Sequence, residues 1–374
     1  MMKVMTILGT RPEIIRLSRV IATLDKYTDH VLVHTGQNYD YELNEIIFND
    51  LEIRKPDYFL NVDTNSLGKM LGETLIKSEE VLLKEMPNAV LILGDTNSSI
   101  AGIMAKRLHI PIYHMEAGNR SFDLNVPEEI NRRIIDHISD FNLVYTENSR
   151  RHLISEGLPH RRIYLTGTPM YEVLKYYSDK IDKSTILDTL SLKSKEFFVV
   201  SMHREENVDN IQILKNIVSI LNKLAKDYDL PVIVSTHPRT RKRLNAAENF
   251  DLDKRISFLK PFGFLDYIQL QKNALCVISD SGTISEESAI LDFPAITLRN
   301  SMERPEALDA GSIILTGFNI DNVISSAKII IDQHQTDEIK KSVPNEYLIS
   351  DTSQRVLNLI VGTSKLSNKW AGIR

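Results

Sequence analysis

The sequence predicts an α/β protein built from two doubly wound parallel sheets. Three observations carry that prediction: short apolar runs bounded by Gly, Pro or Asp recur along the chain, amphipathic segments of helical period separate them, and the alternation runs twice with a pause at Gly167-Thr168-Pro169. Parallel strands need a crossover between them and are buried on both faces, so Val/Ile/Leu runs separated by helices signal this architecture.

In chain order, the runs that read as strands are residues 3–8, 30–34, 89–93, 110–114 and 141–145, then 197–201, 232–235, 276–279 and 295–298. Residues 66–84 space Leu67, Met70, Leu71, Leu75, Val81 and Leu82 at helical intervals, and 211–224 do the same with Ile213, Ile217, Ile220 and Leu224. The Gly/Pro turn sets the expected domain boundary, giving 1–168 and 169–374. The last helix, near 352–362, follows Pro344 and is free to pack on either domain. Two such sheets on a short hinge enclose a cleft, and open α/β sheets bind ligands beyond the carboxyl ends of their strands. Function is therefore sought in the turns that follow strands.

Composition bounds the search. A chain of 374 residues, 42% hydrophobic and 25% charged, has room for two cores. Its net charge of -5 removes the bulk attraction on which nucleic-acid and anionic-membrane binders depend, although a few local arginines suffice for one anion. The single cysteine, Cys276, rules out an intramolecular disulfide framework and a multi-Cys metal site, and points to the reducing cytoplasm. The first apolar run is interrupted by Gly9, Arg11 and Glu13, too early for a signal segment, and no stretch approaches the roughly 18 apolar residues of a membrane span.

The first turn reads Gly9-Thr10-Arg11-Pro12-Glu13 between a strand and a helix. Glycine permits a tight turn, proline suits a helix start, free N–H groups attract anions, and Arg11 adds a planar fork for phosphate; the alternative is an ordinary turn with a solvated arginine. Asp95, in Gly94-Asp95-Thr96-Asn97, reads when taken singly as a helix cap. Glu116, in His114-Met115-Glu116-Ala117-Gly118-Asn119-Arg120, lies just past a buried strand, where an unpaired charge is costly, and is the better catalytic candidate. In Pro127-Glu128-Glu129-Ile130-Asn131-Arg132, helix-surface pairing of Glu128 with Arg132 competes with a functional reading.

In the second half His203 and Arg204 follow a strand and offer two phosphate donors or merely a solvated loop, and Thr236-His237-Pro238-Arg239 repeats the pattern. Ser281, Gly282 and Thr283, in Ser279-Asp280-Ser281-Gly282-Thr283-Ile284, open a helix and form an anion cradle, with Glu287 one turn on suited to a neutral diol such as ribose. The segment Arg299-Asn300-Ser301-Met302-Glu303-Arg304-Pro305-Glu306 is too densely charged for a plain linker. The phosphate loop of kinases, the nicotinamide-type glycine fingerprint and the His-Glu-x-x-His zinc motif are missing from the sequence. Phosphate-binding turns in both halves and carboxylates in the first suit a nucleoside-diphosphate ligand.

These motifs, with Thr35-Gly36-Gln37 and Glu286-Glu287, occur over residues 3–318 in the order of the non-hydrolysing UDP-N-acetylglucosamine 2-epimerase family, which the chain resembles. The resemblance implies two Rossmann-like domains facing a cleft (a glycosyltransferase-B-like fold), a homodimer, and inversion of C2 of a UDP-2-acetamido sugar without metal or nicotinamide. It assigns UDP binding to the C-terminal domain and the acid/base carboxylates Asp95, Glu116 and Glu128 to the N-terminal one. Arg11, Arg132, His203 and Arg304 would face the diphosphate and reacting sugar, with Arg204 converging on the same cleft. Ser281, Gly282 and Thr283 would cradle phosphate, Glu287 would hold ribose, and Tyr267 would lie against uracil.

Several positions depart from the family pattern. Arg16 stands where Lys is common, Asn38-Tyr39-Asp40 follow Gly36-Gln37 where His is usual, Asn119 replaces Leu, and Thr283 replaces Gly. Together they resemble the branch that epimerises UDP-2-acetamido-2,6-dideoxy-L-talose to UDP-N-acetyl-L-fucosamine for capsule or O-antigen. The rival readings are the UDP-N-acetylglucosamine/UDP-N-acetylmannosamine epimerase, a hydrolysing relative, a retaining glycosyltransferase, and a non-catalytic nucleotide-sugar binder.

Overall fold

The computed structural model describes residues 1–37, 41–202, 211–236, 251–336 and 342–373. His203, Arg204, residues 237–239 and residues 38–40 lie outside the described residues. The first sheet comprises β1 (Lys3–Leu8), β2 (Asp29–His34), β3 (Tyr58–Phe59), β4 (Ala89–Leu93), β5 (Ile112–Ala117), β6 (Phe141–Val144) and β7 (Ile163–Leu165). Its order is β3-β2-β1-β4-β5-β6-β7. The second contains β8 (Phe198–Met202), β9 (Val232–Thr236), β10 (Ile256–Leu259), β11 (Cys276–Ser279), β12 (Ala295–Thr297) and β13 (Ile314–Leu315), in the order β10-β9-β8-β11-β12-β13. Every strand pair is parallel.

The apolar runs predicted as strands are the inner strands of both sheets. The outermost strands β3, β7, β10 and β13 escape that reading because each is short and partly exposed. In each sheet the winding reverses beside the first strand, between β1 and β4 and between β8 and β11. Ligands bind at such switch points because the crossovers on either side diverge and leave a crevice. Register fixes which turns share that crevice: β1 pairs with β2 up to Leu8↔His34 and with β4 up to Ile7↔Ile92, so the turns after Leu8, His34 and Leu93 emerge together.

Helices cover the sheets with one apolar face each. Arg11–Tyr27 buries Ile14, Leu17, Val20, Ile21 and Leu24. In the second sheet Ile211–Tyr228 lays Ile217, Ile220, Leu221 and Leu224 in one cluster with Val200, Val234 and Ile278. Full burial of each such side chain contributes about 1.5–3 kcal/mol before entropy is counted. Leu67–Glu85 starts at Ser66, whose hydroxyl accepts the Lys69 N–H at 3.3 Å, and stops at Met86, which turns left-handed with φ 47°.

The chain divides into two compact units, Met1–Tyr176 with Asn345–Arg374, and Tyr177–Pro344. The predicted boundary after 168 is thus corrected to Tyr176, and of the two placements left open for the last helix the chain takes the first unit, with residues 345–374. Polar ties account for both. The helix Met170–Tyr176 packs on Arg11–Tyr27, and its Glu172 carboxylate accepts the Ser353 N–H at 2.8 Å and the Ser353 hydroxyl. The terminal helix Thr352–Trp370 buries Val356, Leu357 and Ile360; its Thr352 hydroxyl donates to Thr166 O, and the Thr363 and Tyr113 hydroxyls meet at 2.6 Å. Among the described residues no helix is long and apolar enough to cross a membrane.

Candidate active site

The turn after β1 is built around a glycine with no room for a side chain. A Cβ at Gly9 would lie 2.0 Å from Ser98 Oγ and 2.2 Å from Thr35 Oγ1, which themselves meet at 2.8 Å. Ser98 also donates from its N–H and hydroxyl to Gln37 Oε1, at 3.1 Å each, tying the turns after β1, β2 and β4 together. Arg11 begins the following helix, half-buried, with Pro12 next.

Glu13 sits under this turn, 1% exposed. Its Oε2 accepts the Gly9 N–H at 3.0 Å and the Thr10 hydroxyl at 2.7 Å, while Oε1 accepts the Thr96 hydroxyl at 3.1 Å. Burial pushes the carboxyl up to about 7, against the opposing effect of these donors. Sequence reasoning quoted Glu13 within its motif without giving it a role. The available signal was its position three residues after the helix cap, from which a Glu side chain reaches back to the turn.

Asp95 follows Gly94, whose φ of +71° turns the chain off β4. The cap reading fails here, because Thr96 is the cap, accepting the Ser98 N–H at 3.3 Å. Asp95 Oδ2 instead accepts Arg132 Nε at 2.8 Å and Nη2 at 2.5 Å. Arg132 Nη1 goes to Glu129 Oε2 at 2.8 Å, so its guanidinium is clamped between the Asp95 and Glu129 carboxylates. Burial opposes ionisation of Glu129, but the Ser121 N–H and the Arg132 charge outweigh it and hold the carboxyl below its usual range. Asn131 Nδ2 adds a 3.0 Å bond to Asp95 O. Glu128 is exposed on the first turn of the helix Pro127–Ile138.

Glu116 is inside the end of β5, not past it. The pairing of β5 with β6 shifts register between Met115 and Ala117, and Glu116 takes φ +66°. A left-handed non-glycine residue at a bulge costs energy and re-aims its side chain, a combination concentrated at functional sites. Glu116 Oε2 lies 3.7 Å from Arg16 Nη1, and Oε1 accepts Asn119 Nδ2 at 3.5 Å. Arg16 is itself buried, its guanidinium 5.7 Å from the Tyr145 ring centroid. Asp95 and Glu116, with Arg132 and Arg16, thus stand at the carboxyl ends of adjacent strands of the first sheet.

The second unit carries a turn of different character. After β11, Ser279 Oγ accepts the Ser281 N–H at 3.0 Å, and Ser281 Oγ accepts the Thr283 N–H at 3.3 Å, 3.0 Å from Thr283 Oγ1. Gly282 is flanked by cations: a Cβ there would lie 3.6 Å from Arg299 Nη1 and 3.7 Å from Arg304 Nη1, and Arg304 Nη1 donates to Gly282 O at 2.8 Å. Arg304 also pairs with buried Glu286 at 3.4 Å, and Arg299 with Glu303 at 2.6 Å. The turn opens the helix Ile284–Leu291, so helix N–H groups, hydroxyls and two guanidinium groups converge there.

Glu287, on the first turn of that helix, is 6% exposed and accepts Gln271 Nε2 at 2.8 Å. Tyr267, on Phe264–Asn273, interacts through its hydroxyl with Ser201 and Gln271; burial, with the charges of Glu287 and Asp280, pushes its phenol up. Among the described residues no group of three or more His, Cys, Asp or Glu is placed to hold a metal ion.

Two parallel sheets, one with ion-paired carboxylates at its strand ends and the other with an arginine-flanked turn opening a helix, define the class: a two-unit α/β protein with a glycosyltransferase-B-like fold. At the level of fold alone, the glycotransferase of kitacinnamycin superposes with a TM-score of 0.58 at 8% identity, covering 96% of this chain and 98% of that one. The sequence model of the UDP-N-acetylglucosamine 2-epimerase family matches residues 22–361, and the chain belongs to that family of isomerases. The UDP-N-acetylglucosamine 2-epimerase of Rickettsia bellii is 49% identical, with a TM-score of 0.92 over 99% of this chain and 98% of its own. The Methanocaldococcus jannaschii enzyme, solved in complex with UDP-GlcNAc and UDP, is 37% identical with a TM-score of 0.89 over 96% of this chain and all (100%) of its own. UDP-2,3-diacetamido-2,3-dideoxy-D-glucuronate 2-epimerase of Pseudomonas aeruginosa is 35% identical over 333 residues, 87% of this chain and 92% of that protein.

Proposed function

We propose that the protein interconverts UDP-N-acetylglucosamine and UDP-N-acetylmannosamine by inversion at C2. Support for this substrate pair, over the L-talo/L-fuco pair that the sequence departures suggest, comes from relatives named for UDP-N-acetylglucosamine, the Rickettsia bellii enzyme at 49% identity among them. The observation that carries the chemistry is the pairing of Asp95 with Arg132 and of Glu116 with Arg16 at neighbouring strand ends. A carboxylate takes the C2 proton, the electron pair forms the C1–C2 double bond, and the C1–O bond breaks so that UDP departs with its electrons. Re-addition of UDP with protonation from the opposite face gives the epimer. Two faces need two proton-transfer groups, and Asp95, Glu116 and Glu128 supply them.

The cations serve the other half of the reaction. Ser281, Gly282 and Thr283 with Arg304 take the pyrophosphate, whose charge grows as C1–O breaks, and Arg11, Arg16, Arg132, His203 and Arg204 are the further cations assigned to phosphate and sugar. Glu287 takes ribose and Tyr267 uracil. The enzyme works as a homodimer in the cytoplasm, where its nucleotide-sugar substrate is made available, and sedimentation analysis checks the dimer.

Incubation with each UDP-sugar in deuterated water, followed by NMR at C2, tests the proposal. Deuterium entering C2 of intact UDP-N-acetylglucosamine is the expected result. Exchange confined to the L-talo/L-fuco pair would transfer the enzyme to that branch; stoichiometric release of free sugar, or exchange with neither pair, would overturn the mechanism.

A further inference from the structure

We propose that the buried pair His114–Asp136 is a positioning device that fixes the Asp95 turn and the Glu116 bulge relative to each other. The inference rests on the reading of Asp95 and Glu116 as proton-transfer groups. Neither His114 nor Asp136 touches substrate in this scheme, and both are fully buried, at 0% exposure.

The connections are specific at both ends. His114 Nε2 lies 2.8 Å from Gly94 O, the carbonyl immediately before Asp95. His114 Nδ1 lies 2.9 Å from Asp136 Oδ1. Asp136 then receives the Gly118 N–H, at 3.3 Å and 3.2 Å to its two oxygens, two residues after Glu116. One ring and one carboxyl therefore span the turn after β4 and the turn after β5. Gly118 is held at φ +80°, where a Cβ would lie 2.3 Å from Ser149 O, so the turn has little freedom except through this anchor.

The hydrogen-bonding inventory fixes the form of the pair. Asp136 Oδ2 also accepts Arg120 Nη1 at 2.6 Å, so the carboxyl is surrounded by donors and acts as the acceptor. A carbonyl can only accept as well, so each ring nitrogen of His114 faces an acceptor, an arrangement that calls for an N–H at both. The chain of contacts continues from Asp136 through Arg120 to Glu156, which takes Arg120 Nε and Nη2 at 2.7 Å each. His137 Nε2 and Arg133 Nη1 meet Glu156 at its outer end, at 3.0 and 3.6 Å.

The test uses the full-length protein labelled with 15N-histidine. At pH 7.5 the wild type is expected to show two ring N–H protons on His114, assigned by their loss in His114→Phe; a single one would overturn the pairing. In His114→Phe, kcat for C2 deuterium exchange is expected to fall about 10²-fold, the loss a displacement near 1 Å produces, with KM and the Kd for UDP within about threefold. His114→Gln places a donor where Nε2 was and His114→Asn where Nδ1 was, so each is expected to recover part of kcat. These two also decide the matter if the Phe variant does not fold. Unchanged kcat in all three, or parallel loss of kcat, UDP affinity and thermal stability, would overturn the proposal. A wild type inactive on every UDP-sugar would instead defeat the functional reading, while the ring protons still report on the pair.

Discussion

Burial of Glu13 gives the first unit a pH dependence that one substitution removes. The folded carboxyl titrates at about 7 against an ordinary value of 4.5, so the folded chain binds this proton more tightly than the unfolded chain. Its contribution to stability is complete below pH 4.5, where both states are protonated. Between 4.5 and 7 the unfolded state has ionised while the folded state still holds its proton, so the contribution falls as pH rises through the folded value. At 1.36 kcal/mol per unit, the loss is about 3 kcal/mol. Glutamine keeps the shape and an acceptor for Gly9 and Thr10 but cannot ionise. The stability of Glu13→Gln minus that of wild type is therefore expected to shift by about 3 kcal/mol in favour of the variant between pH 4.5 and 8.

The assay has an internal reporter. Trp370, the one tryptophan, lies on the terminal helix of the first unit, its ring centroid 6.3 Å from that of Phe141. Urea unfolding followed by its fluorescence at several pH values reads the unit that contains Glu13. Taking the difference between variant and wild type cancels other titrations, such as Glu156, which hydrogen bonding from Arg120 holds at about 2. A difference that does not change with pH would refute the argument, because it would mean that the folded and unfolded chains bind the Glu13 proton equally.

The proton-transfer assignment predicts that Asp95→Asn, Glu116→Gln and Glu128→Gln each lower kcat by roughly 10²-fold or more while calorimetry finds UDP binding largely intact; near-normal rates in all three would move the chemistry elsewhere. Arg304→Lys keeps the charge but loses the fork that reaches Gly282 O and Glu286, and is expected to weaken UDP binding by about tenfold, measured by calorimetry. Gly118→Ala forces a side chain into φ +80° and onto Ser149 O, and is expected to cost about 3 kcal/mol in urea unfolding followed at Trp370.

What the sequence made legible follows the range of the interaction. Gly9 between a strand and Arg11-Pro12, Ser66 ahead of an amphipathic run, and the inner strands are set by neighbours within a few positions, and local pattern finds them. Asp95 was misread as a cap because its partner Arg132 lies 37 residues away. The same limit hid Glu13, whose bond to Thr96 crosses 83 residues, and left open which unit the last helix joins, since Thr352 meets Thr166 across 186. Spacing brought Glu116 to the end of its strand but put it just past that end and missed the bulge, since a left-handed residue at a strand end has no signature in side-chain type.

Net charge proved to be the least informative quantity for a physical reason visible in the site. The arginines that a composition count treats as free cations are already engaged: Arg16 with Glu116, Arg132 with Asp95 and Glu129, Arg299 with Glu303, Arg304 with Glu286. On the proposed function, a pyrophosphate entering the Ser281 turn would compete with Glu303 and Glu286 for the same guanidinium groups, and its net gain would be the difference between two charge-assisted contacts rather than the whole of one. The same pairing aims the Asp95 and Glu116 carboxylates at the strand ends. On the proposed function, carboxylates held by arginines at the strand ends are positioned before substrate arrives, and that preorganisation would let a chain of net charge -5 act on an anionic nucleotide sugar.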